Sequence, residues 1–243
     1  ALKSVIHQVT RTSYEIIVID NGTKSTTKKM IQKLQSKFSN IHYYQTRITG
    51  LAHARNLGWK KARGEYIAYL DDDAIASPDW IKSIYNFITK HPKVAILGGP
   101  YTSSNQAEIP SWIPTELTSK ILLGGKDRPI NLGLEWLNGT NIIIKKSLLK
   151  KLNGFDETLG VNANKRAYGE ETDFQIRANN IGHQVWYSPK IKVEHFFAPE
   201  KQNFWYLLKN QYIHGQNSHR IFKLLKQSNK SATANTVLNR LFQ

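Results

Sequence analysis

Apolar residues recur with two different periods along the first hundred positions. Residues 14–20, Tyr-Glu-Ile-Ile-Val-Ile-Asp, form a short, β-branched, nearly continuous apolar run, the pattern of a strand buried on both faces. Over 23–38 the spacing changes to Met30, Ile31, Leu34 and Phe38, one face of a helix. The same reading predicts a short helix over 2–9, a strand over 41–45, a helix over 50–62 and a strand over 65–70. Ser77-Pro78-Asp79 reads as a helix start, with Ser77 as N-cap and Pro78 in the first helical position. That helix runs to about Lys90, where His91-Pro92 closes it, and a strand follows over 94–97. Strands alternating with helices argue for a mostly parallel sheet covered on both faces.

The alternation breaks after Pro100. Residues 101–136 are rich in Pro, Ser, Gly and Thr and read as a long excursion with short helices, a length that in compact domains is commonly functional. Regular patterns return as a strand over 141–145, a helix over 147–152, a helix over 171–180 and strands over 183–187 and 191–194. From Asn203 onward the chain reads as a basic helical tail with Trp205, Leu207, Leu208 and Tyr212 on an apolar face.

Composition narrows the function classes. A chain of 243 residues with 40% hydrophobic content can build one large α/β domain with a helical appendage. The absence of cysteine excludes disulfides, thiolate metal sites and cysteine nucleophiles. No apolar run approaches the ~20 residues that span a bilayer. The formal charge of +16 favours anionic partners: nucleotides, nucleic acid or an acidic membrane face. No recognised nucleic-acid motif accompanies it, so nucleic acid is not an expected partner.

The chemistry concentrates at strand ends. Asp71, Asp72 and Asp73 follow a buried-strand pattern directly, and in open α/β sheets ligands bind outside the carboxyl ends of strands. Three adjacent carboxylates repel one another without a cation, and their hard oxygens suit Mg²⁺ or Mn²⁺ held jointly with substrate phosphates. An exposed acidic turn is the alternative. Asp20 has the same placement, ahead of Asn21-Gly22-Thr23, where it can accept hydrogen bonds from a base or ribose or simply form a turn.

These segments resemble the family 2 glycosyltransferases of the GT-A fold. The family runs strand–Asp-Asp-Gly-Ser, Gly-x-x-x-Ala-Arg-Asn-x-Gly, Gly-Glu-Tyr-Ile and then Asp-x-Asp. Here the matching residues are Asp20 to Thr23, Gly50 to Gly58, Gly64 to Ile67 and Asp71 to Asp73. Later matches are Asn138-Gly139-Thr140-Asn141, Gly154-Phe155-Asp156-Glu157, Gly169-Glu170-Glu171-Thr172-Asp173, Trp186-Tyr187-Ser188-Pro189 and Val193-Glu194-His195. The resemblance covers residues 1 to 195. It implies a Rossmann-like catalytic domain over 1–200, with a nucleotide-binding half over about 1–100 and an acceptor half over about 101–200. A basic helical tail over 201–243 would pack on that domain or extend it. Family members open with a further strand before the first helix of this chain, so the sheet is expected to lack it.

By resemblance, the activity is an inverting, metal-dependent transfer of a sugar from a nucleotide-diphosphate donor, a UDP-sugar by preference, to a hydroxyl of a glycan or lipid-linked acceptor. Asp20, Arg55, Asp71 and Asp72 would contact the nucleotide. Asp73, Asp71 and His195 would hold Mn²⁺ or Mg²⁺. Glu171 would be the catalytic base, in a position where the family usually has Asp, and Trp136, Asn138 and Glu170 would face the acceptor. Arg55 could equally pair with nearby Asp residues as a strut, and Asn56 and Gly58 read as packing residues. Glu170 and Glu171 could merely charge a helix start. The implied setting is the cytoplasm, with peripheral association to an anionic membrane through the tail. Two alternatives remain open: a sugar-phosphate nucleotidyltransferase, and a non-catalytic basic binding module on the same fold.

Overall fold

Ile142, Ile143 and Ile144 are fully buried, and the strand that they form is covered by apolar side chains on both faces. Alternation along this strand sends Ile142 and Ile144 to one side, against Ala52, Trp59, Leu148, Leu149, Phe155 and Phe174. Ile143 faces the other side with Leu97, Trp80, Ile84, Phe87 and Val193. Each such side chain contributes roughly 1.5–3 kcal/mol by leaving water. The computed structural model describes residues 1–22, 25–122, 125–161 and 168–228.

Among the described residues the order is α1 (Leu2–Ile6), β1 (Ile16–Asp20), α2 (Ser25–Gln35), β2 (Ile41–Gln45), α3 (Leu51–Lys61), β3 (Tyr66–Tyr69), β4 (Ala74–Ala76), α4 (Trp80–Lys90), β5 (Ile96–Gly98) and β6 (Tyr101–Ser103). The excursion holds one-turn helices and β7 (Arg128–Pro129). Then come β8 (Ile142–Lys145), α5 (Lys146–Lys151), α6 (Glu170–Asn180), β9 (Val185–Tyr187), β10 (Val193–His195) and α7 (Phe204–Ser228). Thr23, the expected start of α2, and the tail beyond 228 lie outside the described residues.

The main sheet has the order β3-β8-β5-β9-β7; β4-β10-β6 form a second sheet and β1-β2 a third. The expected parallel pairing is found for β1–β2 and β5–β9. β8, however, runs antiparallel to both β3 and β5. The cause is the excursion: it leaves the carboxyl end of β5 and re-enters the sheet from that same end, so β8 must descend. β1 pairs only with β2 and β3 only with β8 among the described residues, and both line one cleft of about 1710 Å³.

The expected N-cap of α4 is corrected. Asp79 holds the N-cap position, while the Ser77 hydroxyl donates to Asp79 Oδ1 at 3.0 Å and the Ser77 carbonyl accepts from Trp80 N. Pro78 therefore belongs to a turn ahead of the helix. Gly154 has φ +69°, and a Cβ there would lie 2.2 Å from Asn56 Oδ1. The approach is close because Asn56 closes the loop: its amide donates to Phe155 O and Glu157 Oε1 and accepts from Phe155 N, each at 2.8 Å. The packing role expected of Asn56 is the one it has.

Candidate functional site

The three aspartates bridge the end of β3 to the start of β4, as strand-end chemistry requires. β4 is antiparallel to β10, with Ala74 opposite His195, and Phe196 N donates to Asp73 O at 3.0 Å. That pairing brings His195 Nε2 to 3.0 Å from Asp73 Oδ1. Asp71, Asp73 and His195 each offer a donor atom, and the three atoms lie within 4.8 Å of one another. Two hard carboxylate oxygens and one imidazole nitrogen fit a manganese- or magnesium-type ion that takes its remaining ligands from phosphate and water. Asp72 is exposed and lines the same cleft without joining this trio.

Lys201, which no sequence motif marked, approaches Asp73 Oδ2 at 3.8 Å. Burial works to raise the Asp73 carboxyl, but His195 and Lys201 outweigh it and hold it below the usual carboxylate range.

On the other flank, α3 carries Arg55 into the protein. Its guanidinium is buried, donating to Glu170 Oε1 at 2.6 Å and to Asp71 Oδ1 at 3.3 Å. Burial alone would lower the guanidinium's affinity for its proton; Asp71, Glu170 and Glu171 together raise it. The space that Arg55 occupies exists because residue 139 is glycine: a Cβ there would meet Arg55 Nη2 at 2.3 Å. The Asn-Gly-Thr-Asn segment thus acquires physical meaning residue by residue. Asn138 Oδ1 accepts from Thr140 N at 2.9 Å, and fully buried Asn141 donates to Pro100 O and Ile191 O while accepting from Trp80 Nε1.

Gly169, with φ +101°, starts α6, whose first turn carries Glu170, Glu171 and Asp173. Glu171 is half-buried and lines the cleft with Asn138, Tyr168 and the aspartates. Lys120 and Tyr101 lie within electrostatic reach of Glu171. Glu170, expected to face the acceptor, lines the cleft with little of its surface exposed. It is 3% exposed, bound to Arg55 and hydrogen-bonded to the Glu171 carboxyl. Burial and Glu171 push the Glu170 carboxyl up to about 8 against the pull of Arg55. Arg55 has both ends of its guanidinium engaged by acidic side chains, the strut arrangement, while it also lines the cleft. Asp173 is paired with Arg177 at 2.8 Å.

Asp20 ends β1 and is 8% exposed. Its carboxylate accepts from Gly22 N at 2.9 Å and from the Tyr43 hydroxyl at 2.8 Å, so part of its capacity is used in shaping its own turn. Tyr43 stands opposite Val18 on β2, a position that strand alternation on its own does not single out. Trp136 is half-buried and lies outside the lining of the cleft, unlike Asn138.

The family model described as "Glycosyl transferase family 2" matches residues 1–153. The glucosyl-dolichyl phosphate glucuronosyltransferase of Haloferax volcanii is 25% identical over 92% of this chain and 72% of its own length. The succinoglycan biosynthesis protein ExoM of Rhizobium meliloti is 23% identical over 87% of this chain and 66% of its own. Other curated relatives are much longer: the chain spans 14% of the chondroitin synthase of Escherichia coli. Among solved structures, S. aureus TarS 1-349 in complex with UDP superposes with a TM-score of 0.64 at 19% identity, covering 91% of this chain and 67% of that one. The mannosyltransferase PcManGT from Pyrobaculum calidifontis, in complex with GDP-Man and Mn²⁺, gives 0.64 at 15% identity over 99% of this chain and 63% of that one. The structural likenesses show a GT-A fold, and the family match shows that this chain belongs to glycosyl transferase family 2.

Proposed function

We propose that the chain transfers a sugar from a nucleoside diphosphate donor to a hydroxyl of a glycan or lipid-linked acceptor, with inversion at the anomeric carbon. The observation that carries this reading is the convergence of Asp71, Asp73 and His195 at the edge of a cleft whose wall also holds Glu171. Asp73, Asp71 and His195 would hold a divalent ion, which when bound neutralises the departing diphosphate. Glu171 accepts the proton of the acceptor hydroxyl as its oxygen bonds to the anomeric carbon. The bond from that carbon to the diphosphate oxygen breaks on the opposite face, and the electron pair leaves with the nucleotide. Asp20 and Asp72 contribute nucleotide contacts, Asp20 with its carboxylate already oriented by Tyr43 and Gly22.

A UDP-sugar is the favoured donor, because TarS is described in complex with UDP and GalNAc-T7 with UDP and Mn²⁺. A lipid-linked acceptor draws support from the name of the Haloferax relative, which acts on a glucosyl-dolichyl phosphate. No described helix is long and apolar enough to cross a membrane; the charge of +16 supports a proposed setting at an anionic membrane surface, on the cytoplasmic side.

A thermal-shift panel of nucleotide sugars with and without Mn²⁺ tests the donor and metal together. Wild type should gain stability from one donor only when Mn²⁺ is present, and Asp73→Ala should lose that increment. An identical response of both proteins to every donor would remove the metal role. Glu171→Gln should keep donor binding and lose transfer by about 10²-fold or more; full activity would reject it as the base.

A further inference from the structure

Helix α7 is apolar on two sides. At 3.6 residues per turn, Tyr206, Leu207, Asn210 and Ile213 share one face. There Leu207 packs with Ile109, Ile113 and Phe197, and Asn210 Oδ1 accepts from the Tyr168 hydroxyl. That face holds the helix against the domain. Phe204, Trp205, Leu208 and Tyr212 fall within an arc of about 100° on the opposite side. All four are exposed, Trp205 by 75% and Tyr212 by 67%. The rings of Phe204 and Trp205 meet edge to face at 5.4 Å, forming one outward aromatic step. Trp112, 52% exposed, belongs to the same region, because its neighbours Ile109 and Ile113 share a cluster with Leu207.

Charge decides what covers this face. No Asp or Glu follows Glu200 in the sequence, whereas Lys and Arg recur from Lys201 and Lys209 to Arg240. A second copy of a chain carrying +16 would be repelled, while an anionic surface would be attracted. Outward Trp, Phe, Tyr and Leu beside lysines are the combination by which an amphipathic helix seats itself at the boundary between headgroups and acyl chains.

We propose that the outer face of α7, centred on Phe204, Trp205, Leu208 and Tyr212, docks the protein on an anionic lipid bilayer. This deepens the proposed use of a lipid-linked acceptor and rests on that reading only for its purpose, since binding itself requires neither donor nor acceptor. The inner face of α7 touches Tyr168, two residues before Glu170, so docking would bring the acceptor end of the cleft close to the lipid surface.

The test is flotation of the full chain with phosphatidylcholine vesicles, with and without phosphatidylglycerol, at low and high salt. Wild type should partition onto phosphatidylglycerol-containing vesicles and release as salt rises. The double variant Phe204→Ser, Trp205→Ser should bind at least about tenfold more weakly, from the loss of two large inserted side chains. Tyr212→Ser alone should show a smaller loss, and the donor-dependent thermal shift of all variants should match wild type. Failure of wild type to float, equal binding to uncharged vesicles, or undiminished binding of the double variant would each overturn the proposal. So would a concentration-dependent dimer, seen by sedimentation velocity, that the same substitutions abolish. Loss of transfer with vesicle binding intact would count instead against the glycosyltransfer reading.

Discussion

Glu170→Gln probes the buried charge cluster most directly. In the folded protein, burial and Glu171 hold the Glu170 carboxyl up to about 8, against an ordinary value of 4.5. The folded chain therefore retains a proton that the unfolded chain has released anywhere between those two values. Stability must then fall as pH rises through this interval and level off above about pH 8, with a slope near 1.4 kcal/mol per pH unit for one whole proton. Across the whole window that amounts to roughly 5 kcal/mol, an upper figure because Glu171 shares the proton. Gln has the shape of the protonated acid and can still accept from Arg55, so the variant should lose the slope and keep the fold. Urea denaturation of both proteins at pH 5, 6, 7 and 8 measures this. Glu170→Gln should gain on wild type progressively toward pH 8. A stability difference that changes by less than about 1 kcal/mol over that range would refute the buried, proton-retaining Glu170.

Three further perturbations address the neighbouring parts. Gly139→Ala places a methyl group 2.3 Å from Arg55 Nη2; transfer should fall by about tenfold or more with circular dichroism unchanged, and wild-type turnover would show that the placement of Arg55 is immaterial. Asn141→Ala removes three buried hydrogen bonds that join β8 to Trp80, Pro100 and Ile191, and denaturation should register a loss of about 3 kcal/mol. Lys201→Met removes a cation 3.8 Å from Asp73; since both side chains are about one-third exposed, screening limits the effect to roughly 1 kcal/mol, or about fivefold tighter Mn²⁺ binding by titration calorimetry.

The parts of the fold legible in sequence are those whose identity is set locally. Runs such as Ile16–Asp20 and Ile142–Lys145 are buried on both faces, so their apolar continuity states their environment. β4, β6 and β7 are two or three residues long; Tyr101-Thr102-Ser103 carries no strand pattern, and β10 makes it a strand by pairing along it. Strand-end aspartates and a late His single out Asp71, Asp73 and His195 in the sequence, and the structure gathers these three side chains. The contact between His195 and Asp73 depends on β4 meeting β10, which no local pattern reveals. Glu170 illustrates the limit most clearly. Two acidic residues at a helix start ordinarily face water, and only Arg55, 115 positions earlier, explains why the first of them is buried.

The acidic cluster posed a physical problem: adjacent carboxylates repel unless a cation is supplied. The chain supplies its own. Arg55 serves Asp71 from the buried side, Lys201 serves Asp73 from the other with His195 3.0 Å from the same carboxylate, and Asp72 is exposed at the cleft. These partners offset part of the repulsion among the aspartates. On the proposed reading, a divalent ion competes with these partners for the same oxygens, so a large share of its affinity has to come from the diphosphate arriving with it. Donor and metal are then expected to bind as one unit, each weak alone. Arg55 gives that event a route to the acceptor side, because the guanidinium that contacts Asp71 also holds Glu170, adjacent to the proposed base Glu171.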